Sequence, residues 1–136
     1  MEHLPDPINT LKRVYGRLKQ GGEGKVIIEV PHARDFLLDG LKVESFINFT
    51  LWSQHLILHT RESLALMLND AGFKDIRIEG VQRYSLANHF HWLRNGKPGG
   101  HREALSVFET DSLRSTYAEA LSRIDANDTL VAIAST

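Results

Sequence analysis

Met1 is followed at once by Glu2-His3-Leu4-Pro5-Asp6-Pro7, and this phrase requires the first structural element to be a helix. Asp6 is a good N-cap, and Pro7 suits a first helical position, where a missing N–H costs nothing. From there the pattern runs helix, strand, long insert, helix, strand, helix, strand. That order reads as the second half of an α/β protein, with its first half lying outside the chain.

Each element has its own local reason. Over Pro7 to Gln20 the apolar residues Ile8, Leu11, Val14, Tyr15 and Leu18 recur at three- and four-residue spacing, and Gly21-Gly22 ends the helix. Lys25 to Val30 is short and β-branched, as expected for a strand buried on both faces, and Pro31 closes it. Residues 33–59 form an insert, expected as short helical pieces and loop that cap the rest. Thr60 caps a helix over Arg61 to Ala71, which stops at Gly72. Phe73 to Tyr84 reads as a strand bulged near Gly80, and Asn88 to Asn95 as a short helix. A last helix over Ser112 to Ile124 presents Leu113, Tyr117, Ala120, Leu121 and Ile124. Thr129 to Ala134 is the closing strand. The 136 residues are one domain's worth.

Bulk chemistry removes several function classes. A net charge of −1 leaves no electrostatic footprint for nucleic acid or an anionic membrane. Without cysteine there is no disulfide, thiolate metal site or cysteine nucleophile. The apolar stretch Phe46 to Leu58 is interrupted by Asn48, Ser53, Gln54 and His55, so it does not span a bilayer. The amino terminus lacks the basic and apolar regions of a signal peptide, and a cytoplasmic protein is the expectation.

Taken in order, these elements resemble the C-terminal half of a class I S-adenosylmethionine-dependent methyltransferase. Glu2 to Pro7 is similar to the phrase that opens that family's fourth helix. Leu11 to Tyr15 with Leu18 to Gly22 resembles the helix and glycine turn before its fifth strand, which Lys25 to Pro31 then matches. Ser63-Leu64, Leu68 and Ala71-Gly72-Phe73 are similar to the next helix and its ending. The resemblance implies a partial Rossmann-like fold with a small mixed sheet of about three strands and flanking helices, the last strand antiparallel and central.

The same resemblance implies a protein derived from an enzyme that moves a methyl group from S-adenosylmethionine to a small-molecule acceptor. It also marks what this chain lacks: the family's Gly-rich turn after its first strand and the acidic residue ending its second. Gly21-Gly22-Glu23-Gly24 does not replace that turn. It follows a helix and precedes a strand, whereas a cofactor-cradling loop follows a strand and opens a helix. The expectation is a truncated chain that does not hold the cofactor alone, with Glu2 and His3 at most at its edge. Two rival readings remain. One is a non-enzymatic half-fold that dimerises or pairs with a chain supplying the missing half. The other is a histidine-based metal hydrolase.

Ligands of open α/β sheets sit beyond the carboxyl ends of the parallel strands. That edge gathers His32 and Arg34 after the first strand, Arg83, Tyr84, Asn88 and His89 after the second, and His55 and His59 from the insert. These eight are the candidate substrate-binding residues. A methyl acceptor that loses a proton needs a base of near-neutral pKa, which makes His3, His32, His55 and His59 the catalytic candidates. His55 and His59 stand at i, i+4 spacing, but no third ligand or HExxH glutamate accompanies them, so no metal site is expected.

Overall fold

The computed structural model describes residues 1–102 and 104–136. The elements are α1 (Pro7–Gln20), β1 (Lys25–Pro31), a π-helical turn (Phe36–Gly40), α2 (Glu44–Thr50), α3 (Arg61–Asp70), β2 (Lys74–Val81), α4 (Leu86–Asn95), a 3-10 turn (Ala104–Phe108), α5 (Asp111–Arg123) and β3 (Thr129–Ser135). The sheet order is β1-β3-β2, with both neighbours antiparallel to β3. The last strand is therefore central, as the resemblance implies, and β1 and β2 run parallel to each other. Their carboxyl ends, Pro31 and Val81, both pair with Thr129.

Caps fix the helices where the sequence places them. Asp6 accepts a hydrogen bond from the Asn9 amide at 3.1 Å, with Pro7 in the first turn. Thr60 and Ser63 satisfy each other's backbone amides in a capping box at the start of α3. Ser85 caps α4 through the Asn88 amide, and the left-handed Gly96 ends it. The core lies between one face of the sheet and α1 and α3. Leu11 of α1 and Leu64 and Leu68 of α3 meet Ile28, Val30, Leu130, Ala132 and Ala134 of the strands, with Phe73 beside them.

Three expectations change. First, β1 is buried on one face only: Ile28 and Val30 are buried, whereas Ile27 is 70% exposed. Helices cover a single side of this sheet, so the strand alternates as a half-buried strand does. Second, the irregularity in β2 falls between Lys74 and Arg77, not at Gly80, which pairs regularly with Leu130. Asp75 there adopts φ of 49°, a left-handed conformation that aspartate tolerates better than most residues. Gly80 is small for another reason: a Cβ at that position runs into the side chains of Asn127 and Arg61. Third, α5 buries Leu121 and half-buries Tyr117, leaving Leu113, Ala120 and Ile124 exposed. It packs against α4 and β2 at the periphery and does not lie across the sheet.

The insert forms two short helical pieces, Phe36–Gly40 and Glu44–Thr50, and then an extended segment. It returns to the sheet at one point, a parallel bridge between His32 and His59. Beyond that bridge, the outer edge of β1 has no strand partner among the described residues.

Candidate functional site

At the carboxyl edge of β1 and β2 the chain encloses a cavity of about 400 Å3. Its apolar wall is aromatic. Trp92 of α4 meets Phe46 and Phe49 of α2 with ring centroids 5.1 and 5.2 Å apart. Phe46 and Phe49 share a face because they stand three residues apart on a helix. Pro98, in the loop after α4, also lines the cavity. Asn88 Nδ2 donates to the Gly99 carbonyl at 3.3 Å and ties that loop down.

The polar floor holds two buried carboxylates. Asp35 is 5% exposed, and its Oδ1 accepts from the Leu37 and Leu38 amides at 2.6 and 3.2 Å. Burial, reinforced by the charge of Asp128, pushes its pKa up to about 6 despite those two bonds. Asp128 accepts from the Arg83 and Tyr84 amides, each at 2.9 Å, and so fixes the loop after β2. Its pKa is raised, again chiefly by burial. His89 completes the floor. Burial holds its pKa down at about 4, so the ring is neutral at pH 7, and its Nδ1 lies 2.7 Å from the Tyr117 hydroxyl.

Of the eight substrate-binding candidates, the structure brings His32, His55, Arg83, Tyr84, Asn88 and His89 to this cavity. Arg34 and His59 do not reach it. Arg34 turns outward to Asp125 at 3.2 Å, an aspartate it shares with Arg61. His59 is fully buried behind the bridge to His32, with neither ring nitrogen partnered, and burial lowers its pKa. The i, i+4 relation of His55 and His59 also dissolves, because residues 55–59 are extended and not helical. Among the catalytic candidates, His32 and His55 line the cavity. His3 sits at its rim with its ring 4.9 Å from that of His55. Glu2 lines it as well.

His32 is held by its Nδ1–H, which donates to the Asn127 carbonyl at 3.0 Å. Its buried Nε2 has no hydrogen-bond partner, and burial lowers its pKa. Sequence reading passes over Asp35, Asp128, Phe46, Phe49 and Trp92 as lining residues. For the aromatic pair a signal exists in the three-residue spacing of Phe46 and Phe49. For Asp128 the only signal is its place just before the central strand.

A larger depression, of about 640 Å3, lies at the opposite edge of the sheet over Glu23, Lys25, Asp75, Arg77 and Ser135. Its lining includes no histidine and no buried carboxylate.

Residues 1–78, more than half of the chain, match the family model of a methyltransferase domain. The chain belongs to that methyltransferase family. A solved S-adenosylmethionine-dependent methyltransferase from Archaeoglobus fulgidus shares the fold. The TM-score is 0.55 at 20% identity, over 99% of this chain and 55% of that one. This chain thus spans about half the length of that methyltransferase. Phosphoethanolamine N-methyltransferase 2 of Haemonchus contortus, solved with S-adenosyl-L-methionine, is more distant. It matches at a TM-score of 0.43 and 19% identity, over 98% of this chain and 30% of that one. No curated protein sequence matches. The architecture is that of a partial class I methyltransferase fold: a small sheet with its last strand antiparallel and central, flanked by helices.

The turn after β1 is His32-Ala33-Arg34-Asp35 and the turn after β2 is Gln82-Arg83-Tyr84-Ser85, neither with a glycine. The glycines that end α1 lie at the opposite edge, where the Gly24 carbonyl accepts from the Thr136 amide at 3.0 Å. No described helix is long and apolar enough to cross a membrane.

Proposed function

We propose that this chain is the acceptor side of an S-adenosylmethionine-dependent methyltransferase, and that the 400 Å3 cavity holds a small polar methyl acceptor. One observation carries the reading. The cavity lies beyond the carboxyl ends of two parallel strands, where ligands of open α/β sheets bind, and it pairs an aromatic wall with a polar floor. Phe46, Phe49 and Trp92 exclude water and grip the apolar part of the acceptor. Asp35, with its pKa of about 6, takes the proton that the acceptor loses; a base poised near neutrality is suited to that step. Neutral His89 and the side chain of Asn88 orient the acceptor's polar atoms. The chain holds the cofactor weakly or not at all by itself, since its βα turns offer no glycine-rich cradle.

Trp92 reports on occupancy. It and Trp52 are the two tryptophans of the chain, and Trp92 is 4% exposed in the cavity wall. In a Trp52→Phe chain, small alcohols, amines and hydroxy acids are titrated while Trp92 emission is followed. A saturable change with at least one class, lost on Phe49→Ala, is expected. A response that survives Phe49→Ala unchanged would remove the cavity from the account.

A second reading, assembly, has its own observation. The face of the sheet away from the core is open, with Ile27 70% and Ile133 39% exposed on paired strands, next to the unpaired edge of β1. Burying such surface is worth about 25 cal/mol per Å2, and open edges recruit strands. A second copy, or a chain supplying the remaining strands, covers this face.

A further inference from the structure

We propose that Glu2, His3 and His55 form a binding site for a divalent transition-metal ion of the zinc type at the rim of the cavity. One ligand atom from each lies within 4.8 Å of the others. The hydrogen bonds around the two rings favour a metal over an accidental cluster. His3 Nδ1 is 2.7 Å from the Gln54 carbonyl, and His55 Nδ1 is 2.7 Å from the Thr50 carbonyl. A carbonyl only accepts, so each Nδ1 must carry a hydrogen. In a neutral ring that leaves Nε2 as a bare lone pair. Metal-ligating histidines are held in this way, with the second ring nitrogen donating to a backbone carbonyl or carboxylate that fixes tautomer and orientation.

The lone pair on His3 Nε2 then meets another acceptor. Glu2 Oε1 is 3.4 Å away, while Glu2 Oε2 is engaged by the amino terminus at 3.1 Å. Two acceptors facing each other are unfavourable unless a cation lies between them. A proton on His3 answers this for one pair of atoms. A metal answers it for all three, including the Nε2 of His55, whose ring centroid is 4.9 Å from that of His3. The spacing also suits the ion. Ligands about 2.05 Å from a tetrahedral zinc stand about 3.3 Å apart, so Glu2 and His3 are already in place and His55 has to close by roughly 1.5 Å at most. A two-histidine, one-carboxylate set leaves a coordination position open. The backbone locks the two segments together, since the Leu56 amide donates to the Glu2 carbonyl at 2.8 Å. Histidines 52 residues apart in sequence give no spacing motif, which is why sequence reading passes over the site.

The proposal does not depend on methyl transfer. Zn2+ binding to the purified chain is measured by competition with a chromophoric chelator, and Co2+ binding by its visible absorption. One equivalent of metal per chain is expected, with affinity falling about 100-fold in His3→Gln and in His55→Gln, and at least about 10-fold in Glu2→Gln. His101→Gln, at an exposed histidine elsewhere, should leave it unchanged. His3 is exposed, so His3→Gln keeps the fold, and circular dichroism checks that. Equal affinity in the His3→Gln and unaltered chains, or no stoichiometric binding, would overturn the site.

Discussion

Replacing Asp35 by asparagine should stabilise the protein at alkaline pH and progressively less so in acid. Asp35 is 5% exposed, and its pKa rises from 3.8 to about 6 on folding because burial outweighs the Leu37 and Leu38 amide bonds. The sign follows from linkage. Between those two values the folded protein binds the proton more tightly than the unfolded chain. The contribution is therefore most favourable below about pH 4 and is lost as pH rises through about 6. Just over two pKa units correspond to about 3 kcal/mol of destabilisation at pH 8, and to about 1 kcal/mol at pH 4.5. Asparagine keeps an oxygen for the two amides but never ionises. Urea denaturation of both proteins at the two pH values should then show the asparagine variant gaining about 2 kcal/mol more at pH 8 than at pH 4.5. His89, with its pKa held at about 4, destabilises both proteins in acid and cancels in the comparison. Asp128 reinforces the effect, since its charge raises the cost of ionising Asp35. A difference between the two proteins that does not change with pH would refute the claim that Asp35 is a buried, near-neutral carboxyl group.

Gly100 has φ of 94°, and a Cβ there collides with the Ala87 carbonyl; Gly100→Ala should therefore cost at least about 2 kcal/mol in thermal or urea unfolding and loosen the loop that carries Pro98. Sedimentation at micromolar concentration should show a dimer or larger assembly that Ile27→Lys dissociates, whereas a monodisperse monomer of the unaltered chain would rule out assembly through the open sheet face.

The elements were legible where a local cause fixed them. Asp6, Thr60 and the glycines after α1 and α3 mark helix ends by chemistry that acts within a few residues, and α1 falls at Pro7–Gln20 as its periodicity predicts. The central place of β3 was readable from its apolar run together with the family resemblance. What failed depends on tertiary context. Whether β1 is covered on one face or two is decided by which helices the chain possesses, not by the residues of KVIIEV. Gly80 looked like a bulge because glycine in a strand often is one, yet it answers to the side chains of Asn127 and Arg61, far away in sequence. The site shows the same division. Strand-end position found five lining residues and the insert gave a sixth, His55, while Arg34 and His59 left the set because Asp125 and the bridge at His32 claimed them. Asp35 was passed over because its near-neutral character comes from burial, which no residue type announces.

The proposed function gives this chain the acceptor cavity and not the cofactor floor of a methyltransferase. Calorimetric titration with S-adenosylmethionine distinguishes the two. The absence of a glycine-rich turn after either parallel strand predicts no measurable binding at micromolar concentrations. A single site per chain with clear micromolar affinity would contradict it, and would mean that the turns after β1 and β2 cradle the cofactor without glycine.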